Sequence, residues 1–218
     1  MGSFNAHCVR KATYGGSTPI WLGVVTPLPA GGVLASGFVK EKTLIPAGSP
    51  IKFDSGTITP LLFAEVVSFT AGDTGGNDTI VVKKPLYGQL AVGDLIQKVG
   101  ATFATTGKAA AIVSVAENAS DKGNLDITVA TGTLDSLSKG DVITLSAAST
   151  AGSGKSLKTQ PNAYLYNDIY IDYAETGSHA TGSAVEAHAE GILINQSPSR
   201  AVAAQMAAAV PLVVQAKN

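Results

Sequence analysis

Gly93-Asp94-Leu95-Ile96 recurs 47 residues later as Gly140-Asp141-Val142-Ile143. The same shift lays Gly76-Asn77 on Gly123-Asn124, Ile80 and Val82 on Ile127 and Val129, and Leu90 on Leu137. Carried backwards it lays Ala64 and Val66 on Ala111 and Val113, so two copies run over about 62–97 and 109–144. Two copies are too few for a solenoid and read as a duplicated β unit. Each copy opens with an Ala- and Val-rich strand (63–69; 111–115) and turns through Gly, Asp and Asn. It continues in an alternating strand (79–83; 125–130) and ends with Gly-Asp before an apolar strand (95–99; 142–145). The period is two, and runs of 4–7 residues between Gly, Asp and Asn suit an antiparallel sheet or small barrel. Gly93 and Gly140 are expected at positive φ, with the following Asp capping the turn. The fold class is therefore mainly β: duplicated small antiparallel β-barrel or sandwich units, one short C-terminal helix and an extended N-terminal arm.

Outward from this core, assigned to 37–146, the small residues of 147–160 read as a linker to a C-terminal unit, 161–218. There Tyr164, Tyr166, Asp168, Tyr170 and Asp172 alternate with Leu165, Ile169, Ile171 and Tyr173, predicting one strand over 164–173 with the tyrosines on an exposed face. Residues 184–194 read as its partner. Ser197 as cap, Pro198 in the first position and an Ala-rich run from Arg200 to Ala209, stopped by Pro211, predict the one helix. Upstream, Pro46-Ala47-Gly48 punctuates two apolar stretches. Residues 1–36, interrupted by Gly15-Gly16, Gly31-Gly32 and three prolines, read either as a free tail or, favoured by Trp21, as an extended arm that lies on a neighbour. Its apolar anchors are Ile20, Trp21, Leu22, Val24 and Val25.

The chain has 218 residues, 24 glycines, 14% charged and 6% aromatic residues, and a net charge of −1. So balanced a charge offers no field for a phosphate backbone or an anionic membrane, and nucleic acid and membrane are not expected partners. The run from Pro19 to Val25 is too short to cross a bilayer and lacks the flanks of an export signal. Cys8 is the single cysteine, so no internal disulfide or cysteine zinc cage is expected. Gly154-Lys155-Ser156 resembles the end of a phosphate-binding loop, but Ser149 stands where its first glycine belongs and Pro161 follows too soon for the helix. Glu186, His188 and Glu190 share a strand face that reads as solvated rather than as a metal or acid–base site. No catalytic, metal-binding or cofactor-binding residue is assigned, and the protein is not expected to be an enzyme.

Ile45-Pro46-Ala47-Gly48-Ser49-Pro50-Ile51, the block ending Leu137-Ser138-Lys139-Gly140-Asp141-Val142-Ile143, and Pro161-Asn162-Ala163-Tyr164-Leu165 through Asp172 occur in that order. Gly191-Ile192-Leu193-Ile194 before an Ala-rich helix completes the series. Over about 37–210 this resembles the auxiliary capsid proteins of tailed bacteriophages, the head decoration or head fiber family. The resemblance implies a structural virion protein, made in the host cytoplasm, that sits on the outer surface of the capsid. Its implied partners are the major capsid protein, whose subunit contacts it would reinforce, and copies of itself, with a trimer favoured. The alternative is a carbohydrate- or host-surface-binding β module displayed on the virion, with Tyr164, Tyr166 and Tyr170 as a strip on which sugar rings stack.

Overall fold

The computed structural model describes residues 20–21, 32–35, 43–73, 76–171, 181–182, 184–186, 191–193, 197–210 and 213–215. In chain order the strands are β1 (Gly32–Leu34), β2 (Thr43–Ile45), β3 (Pro50–Asp54), β4 (Thr57–Pro60), β5 (Phe63–Asp73), β6 (Asn77–Lys83), β7 (Leu95–Lys98), β8 (Gly107–Glu117) and β9 (Asn124–Ala130). They continue with β10 (Val142–Leu145), β11 (Gly152–Lys155), β12 (Ala163–Leu165), β13 (Ile169–Ile171), β14 (Thr181–Gly182), β15 (Ala184–Glu186) and β16 (Gly191–Leu193). A 3-10 turn (Pro198–Val202) then leads into helix α1 (Ala203–Ala209), and β17 (Val213–Gln215) follows.

Strands β5 to β10 close a six-stranded antiparallel barrel in the order β5-β6-β9-β8-β7-β10 and back to β5. Residues 62–97 supply β5, β6 and β7, while 109–144 supply β9 and most of β8 and β10. The two segments together close one barrel; neither closes one alone. Only β5–β6 and β8–β9 pair within a segment, and the other pairings join one segment to the other. A two-fold relation runs through these registers. Ile80 opposes Ile127 and Gln97 opposes Thr144, each residue facing its own counterpart at a shift of 47.

The first strand of each segment departs from that shift. Val66 and Ser68 flank a bulge in β5, and Ile112 and Ser114 flank one in β8; Phe69 opposes Ile80 as Val115 opposes Ile127. The counterparts of Ala64 and Val66 are thus Ala110 and Ile112, 46 residues on, and not Ala111 and Val113. From Phe69 to Ile80 the hairpin is one residue shorter than from Val115 to Ile127, so a uniform shift slips by one across the turn. In a strand that slip exchanges the two faces. Ala110 and Ile112 are buried in the barrel, whereas Ala111 points outward and Val113 is 50% exposed.

The barrel core consists largely of counterpart pairs: Ala64 and Ala110, Val66 and Ile112, Ile80 and Ile127, Val82 and Val129, Leu90 and Leu137, Ile96 and Ile143. The turns before β7 and β10 also match. Gly93 and Gly140 have φ of 90° and 89°, a conformation only glycine adopts cheaply. Asp94 Oδ2 accepts the Ala91 N–H at 2.8 Å, and Asp141 Oδ2 accepts the Ser138 N–H at 2.7 Å. Asp141 also holds Lys98 Nζ at 2.7 Å. Asp94→Ala is expected to cost about 1 kcal/mol for the lost turn bond. Asp141→Ala should cost more, because it also removes a half-shielded ion pair. Urea unfolding of the two variants checks the order.

Beside the barrel lies a six-stranded sheet in the order β14-β1-β4-β3-β12-β15, antiparallel except between β1 and β4. Its cluster holds Leu34, Ile45, Ile51, Ile58, Tyr87, Ala163, Leu165 and Ile169. A third cluster fills the space between the outer barrel wall and α1: Leu61, Val99, Phe103, Val142, Leu157, Tyr164, Val202, Met206 and Val210. Ser197 caps the helical segment as expected, its hydroxyl accepting the Ser199 N–H, but the first turn is 3-10 before α1 begins.

Two expectations change. Residues 147–160 are not a loose linker: β11 adds to the edge of β8, Lys158 N–H donates to the Leu145 carbonyl, and Leu157 is buried. Gly152 and Gly154 adopt positive φ of 139° and 67° in this segment, a role that composition alone cannot separate from flexibility. Nor is 164–173 one strand, since the chain bends at Asn167-Asp168 between β12 and β13. Of the expected arm, Ile20, Trp21 and 32–35 are described, and β1 is an interior strand of the six-stranded sheet.

Candidate interaction site

The turn between β2 and β3 needs a left-handed residue, supplied by Gly48 at φ 77°. Its backbone meets strand β12, far along the chain: Gly48 N–H donates to the Leu165 carbonyl at 2.7 Å and Leu165 N–H to the Ser49 carbonyl at 2.9 Å. Asp168 Oδ1 accepts the Ala47 N–H at 2.7 Å. Ser197 Oγ donates to the Gly48 carbonyl at 3.2 Å and lies 2.8 Å from Ser199 Oγ, so the start of the helical segment is tied to the same turn. Asn162 closes the far side, accepting from Phe53 N–H and donating to the Phe53 carbonyl. These bonds make 46–50, 162–169 and 197–199 one rigid platform, in which buried backbone groups find partners.

Trp21 packs on this platform. Its indole N–H donates to the Tyr166 carbonyl at 2.9 Å, and its ring stands edge-on to Tyr164, centroids 6.1 Å apart. Tyr166 lies tilted at 6.0 Å on the other side. Trp21 and Ile20 therefore cover the chain's own third cluster and are partly exposed. Leu22, Val24 and Val25 lie outside the described residues, as do Asp172, His188, Glu190 and the side chain of Glu186.

The tyrosines are not a single exposed strip. Tyr164 is fully buried, Tyr166 is half-buried and Tyr170, beyond the bend, is 43% exposed. The bend at Asn167-Asp168 breaks the single alternating strand expected over 164–173, and Tyr164 packs with Trp21 and residues of the helical segment instead of facing solvent. The carboxylate of Asp168 is engaged by backbone and is not turned to a ligand.

Tyr87 marks the underside of the platform. Its hydroxyl donates to the Leu61 carbonyl at 2.9 Å in a buried setting. Burial pushes the phenol well above its ordinary range, and the Ser49 hydroxyl pulls only weakly the other way. The native state thus keeps a proton that the unfolded chain loses above about pH 10. A group raised in the folded state lends stability fully present below that pH and lost as pH rises beyond it. Unfolding free energy is expected to fall between about pH 10 and 12, and Tyr87→Phe should flatten that fall; urea titrations across this range test it.

A cleft of about 610 Å³ opens between β5 and the 3-10 turn, lined by Glu65, Lys83, Lys84, Leu86 and Arg200 among others. Lys83 is held by Glu65 at 2.8 Å and Lys84 by Glu117 at 2.6 Å. The Lys84 hydrogen bond, then the charges of Lys84 and Lys122, hold the Glu117 carboxyl below its ordinary value. Among the described residues no group of three or more His, Cys, Asp or Glu is gathered as a cation site. Among the same residues no helix is long and apolar enough to cross a membrane. Comparison with protein families, with characterised proteins and with solved structures finds no match for this chain.

Proposed function

We propose that this protein is a non-enzymatic structural component of a tailed-phage virion that binds the outside of the head, contacts the major capsid protein and associates with its own copies. The observation that carries the reading is the convergence of the segments on which the family resemblance rests. Ile45-Ile51 and Pro161-Ile171, far apart in sequence, are hydrogen-bonded to each other in the platform. Val142, from the third segment, packs in the same cluster as Tyr164 and the helix residues Val202 and Met206. Such a scaffold is rigid, nearly neutral and rich in backbone bonding, and suits a protein that reinforces others by buried area. We also infer that 62–97 and 109–144 descend from one unit, supported by the matched bulges, turns and core pairs, and that the arm within 1–36 makes part of the capsid contact.

Cosedimentation with heads prepared without this protein tests the reading. The full chain is expected to bind saturably at a fixed ratio, and a chain lacking 1–18 to lose most of that binding. Trp21 is the sole tryptophan, so an unchanged emission maximum in the shortened chain shows that the platform is intact. Failure of the full chain to bind would sink the proposal.

A further inference from the structure

We propose that the barrel can exchange halves between two copies of the chain, residues up to Val99 of one copy closing with residues from Gly107 onward of the other. The inference deepens the self-association part of the proposed function, but it stands on strand pairing alone. Head binding and exchange are read by different measurements, so either can fail without the other.

The halves hold each other by non-covalent contacts and one covalent link. Strand β7 has both its neighbours, β8 and β10, in the second half, and β10 has both its neighbours, β7 and β5, in the first. The pairs β6–β9, β3–β12, β2–β13 and β1–β14 also cross from half to half. A chain opened at the link leaves unpaired edges and bare apolar faces on both halves, and only a complementary half covers them. A second copy brings that half with every partner residue in place. Register is fixed as firmly as in one chain, because slipping by one residue would turn Ile80, Ile96, Ile127 and Ile143 out of the core.

Only residues 100–106, which include the buried Phe103, must be rebuilt. There the chain reverses through a Thr102-Thr105 turn, with Thr105 N–H donating to the Thr102 carbonyl at 3.1 Å and the two hydroxyls 3.2 Å apart. Gly100 sits so tightly that a Cβ on it would fall 2.6 Å from Thr105 Cβ, and its carbonyl accepts from Gln205 Nε2 at 2.9 Å. Drawn out, these seven residues span about 23 Å at roughly 3.3 Å each. Exchange of identical parts at such a link is a low-cost route to a dimer.

Two full-length variants test this. Deleting 102–105 removes the reversal that returns β8 beside β7, together with the buried Phe103 ring, so that β7 runs straight on toward β8; light scattering is expected to give twice the chain mass with strand-rich circular dichroism. In a Cys8→Ser background, Thr79→Cys with Thr128→Cys places a disulfide between directly opposed residues of β6 and β9. After unfolding and refolding at high protein concentration, the dimer fraction is expected to run at twice the chain mass on a non-reducing gel, and refolding at low concentration to give single chains. The proposal is overturned by a folded, single-chain form of the shortened variant, by dimers whose disulfides all lie within one chain, or by no dimer at high concentration. Should the shortened chain fail to fold, the cysteine pair with its intact link decides alone.

Discussion

Ile80→Ala and Ile127→Ala are each expected to destabilise the protein by about 2–5 kcal/mol, and by closely similar amounts. Both side chains are fully buried in the barrel, and they oppose one another across β6 and β9. Each substitution removes apolar contact and leaves a cavity that paired strands cannot easily collapse. The equality is the sharper part of the expectation, because the two sites are counterparts in register and core. The double variant removes both walls of one space, so its cost should differ from the sum of the single costs, as it does for residues in contact. Since total stabilities run at about 5–15 kcal/mol, the pair is close to unfolding a chain of this size. Lys83→Ala, at the exposed end of the same strand, loses only a surface ion pair with Glu65 and should change stability by no more than about 1 kcal/mol. Urea unfolding followed by Trp21 emission measures all four. A cost below about 1 kcal/mol for Ile80→Ala would contradict burial at that site.

The barrel strands were legible because their signal is local. Alternation and the Gly-Asp turns placed 142–145 at its observed bounds, and the other strands of the two segments within a few residues of theirs. What was not legible lies in relations between distant residues. The order β5-β6-β9-β8-β7-β10 depends on which edges meet, and no periodicity encodes an edge partner. The slip from Ala110 and Ile112 to Ala111 and Val113 arose because hairpin length is invisible to a constant shift, although the extra residue stands in the sequence between Val115 and Ile127. Segment 147–160 was misjudged for a different reason. Glycine supplies a positive φ inside a packed segment, as Gly152 and Gly154 do here, as readily as it loosens a linker, and Leu157, the one large apolar residue between Leu145 and Pro161, is the clue that the segment is packed. On the platform, Pro46-Ala47-Gly48 was read as a turn, but its bonds to Leu165 and Asp168 are non-local.

The platform also gives the barrel an asymmetric outside. Phe63 and Val142, on the outer wall of β5 and β10, pack under Tyr164 and α1, whereas the corresponding wall of β7 and β8 carries β11 and exposes Val113. A two-fold core is thus dressed differently on its two sides. One side is committed to internal packing, and the other keeps an apolar outer face near Val92, itself largely exposed.

Tyr164→Ala is expected to cost about 3–5 kcal/mol, the range for removing a buried aromatic ring, and Tyr170→Ala clearly less, because much of its ring is already exposed. Tyr164 is fully buried in the third cluster, edge-on to Trp21, while Tyr170 is 43% exposed beyond the bend. The two substitutions separate a packing role from a surface role for residues that share one alternating pattern in the sequence. Trp21 reads the difference directly: losing the Tyr164 ring opens its edge to water, and its emission should shift to the red even before unfolding, whereas Tyr170→Ala should leave it in place. On heads, Tyr164→Ala should weaken binding only as far as it unfolds the chain, so its deficit should shrink on cooling toward the temperature of maximum stability. Any deficit of Tyr170→Ala should persist at every temperature at which the protein is folded. Equal stability of the two variants would show that Trp21 and helix α1 do not cover Tyr164 in solution, and would restore the tyrosines as one exposed face.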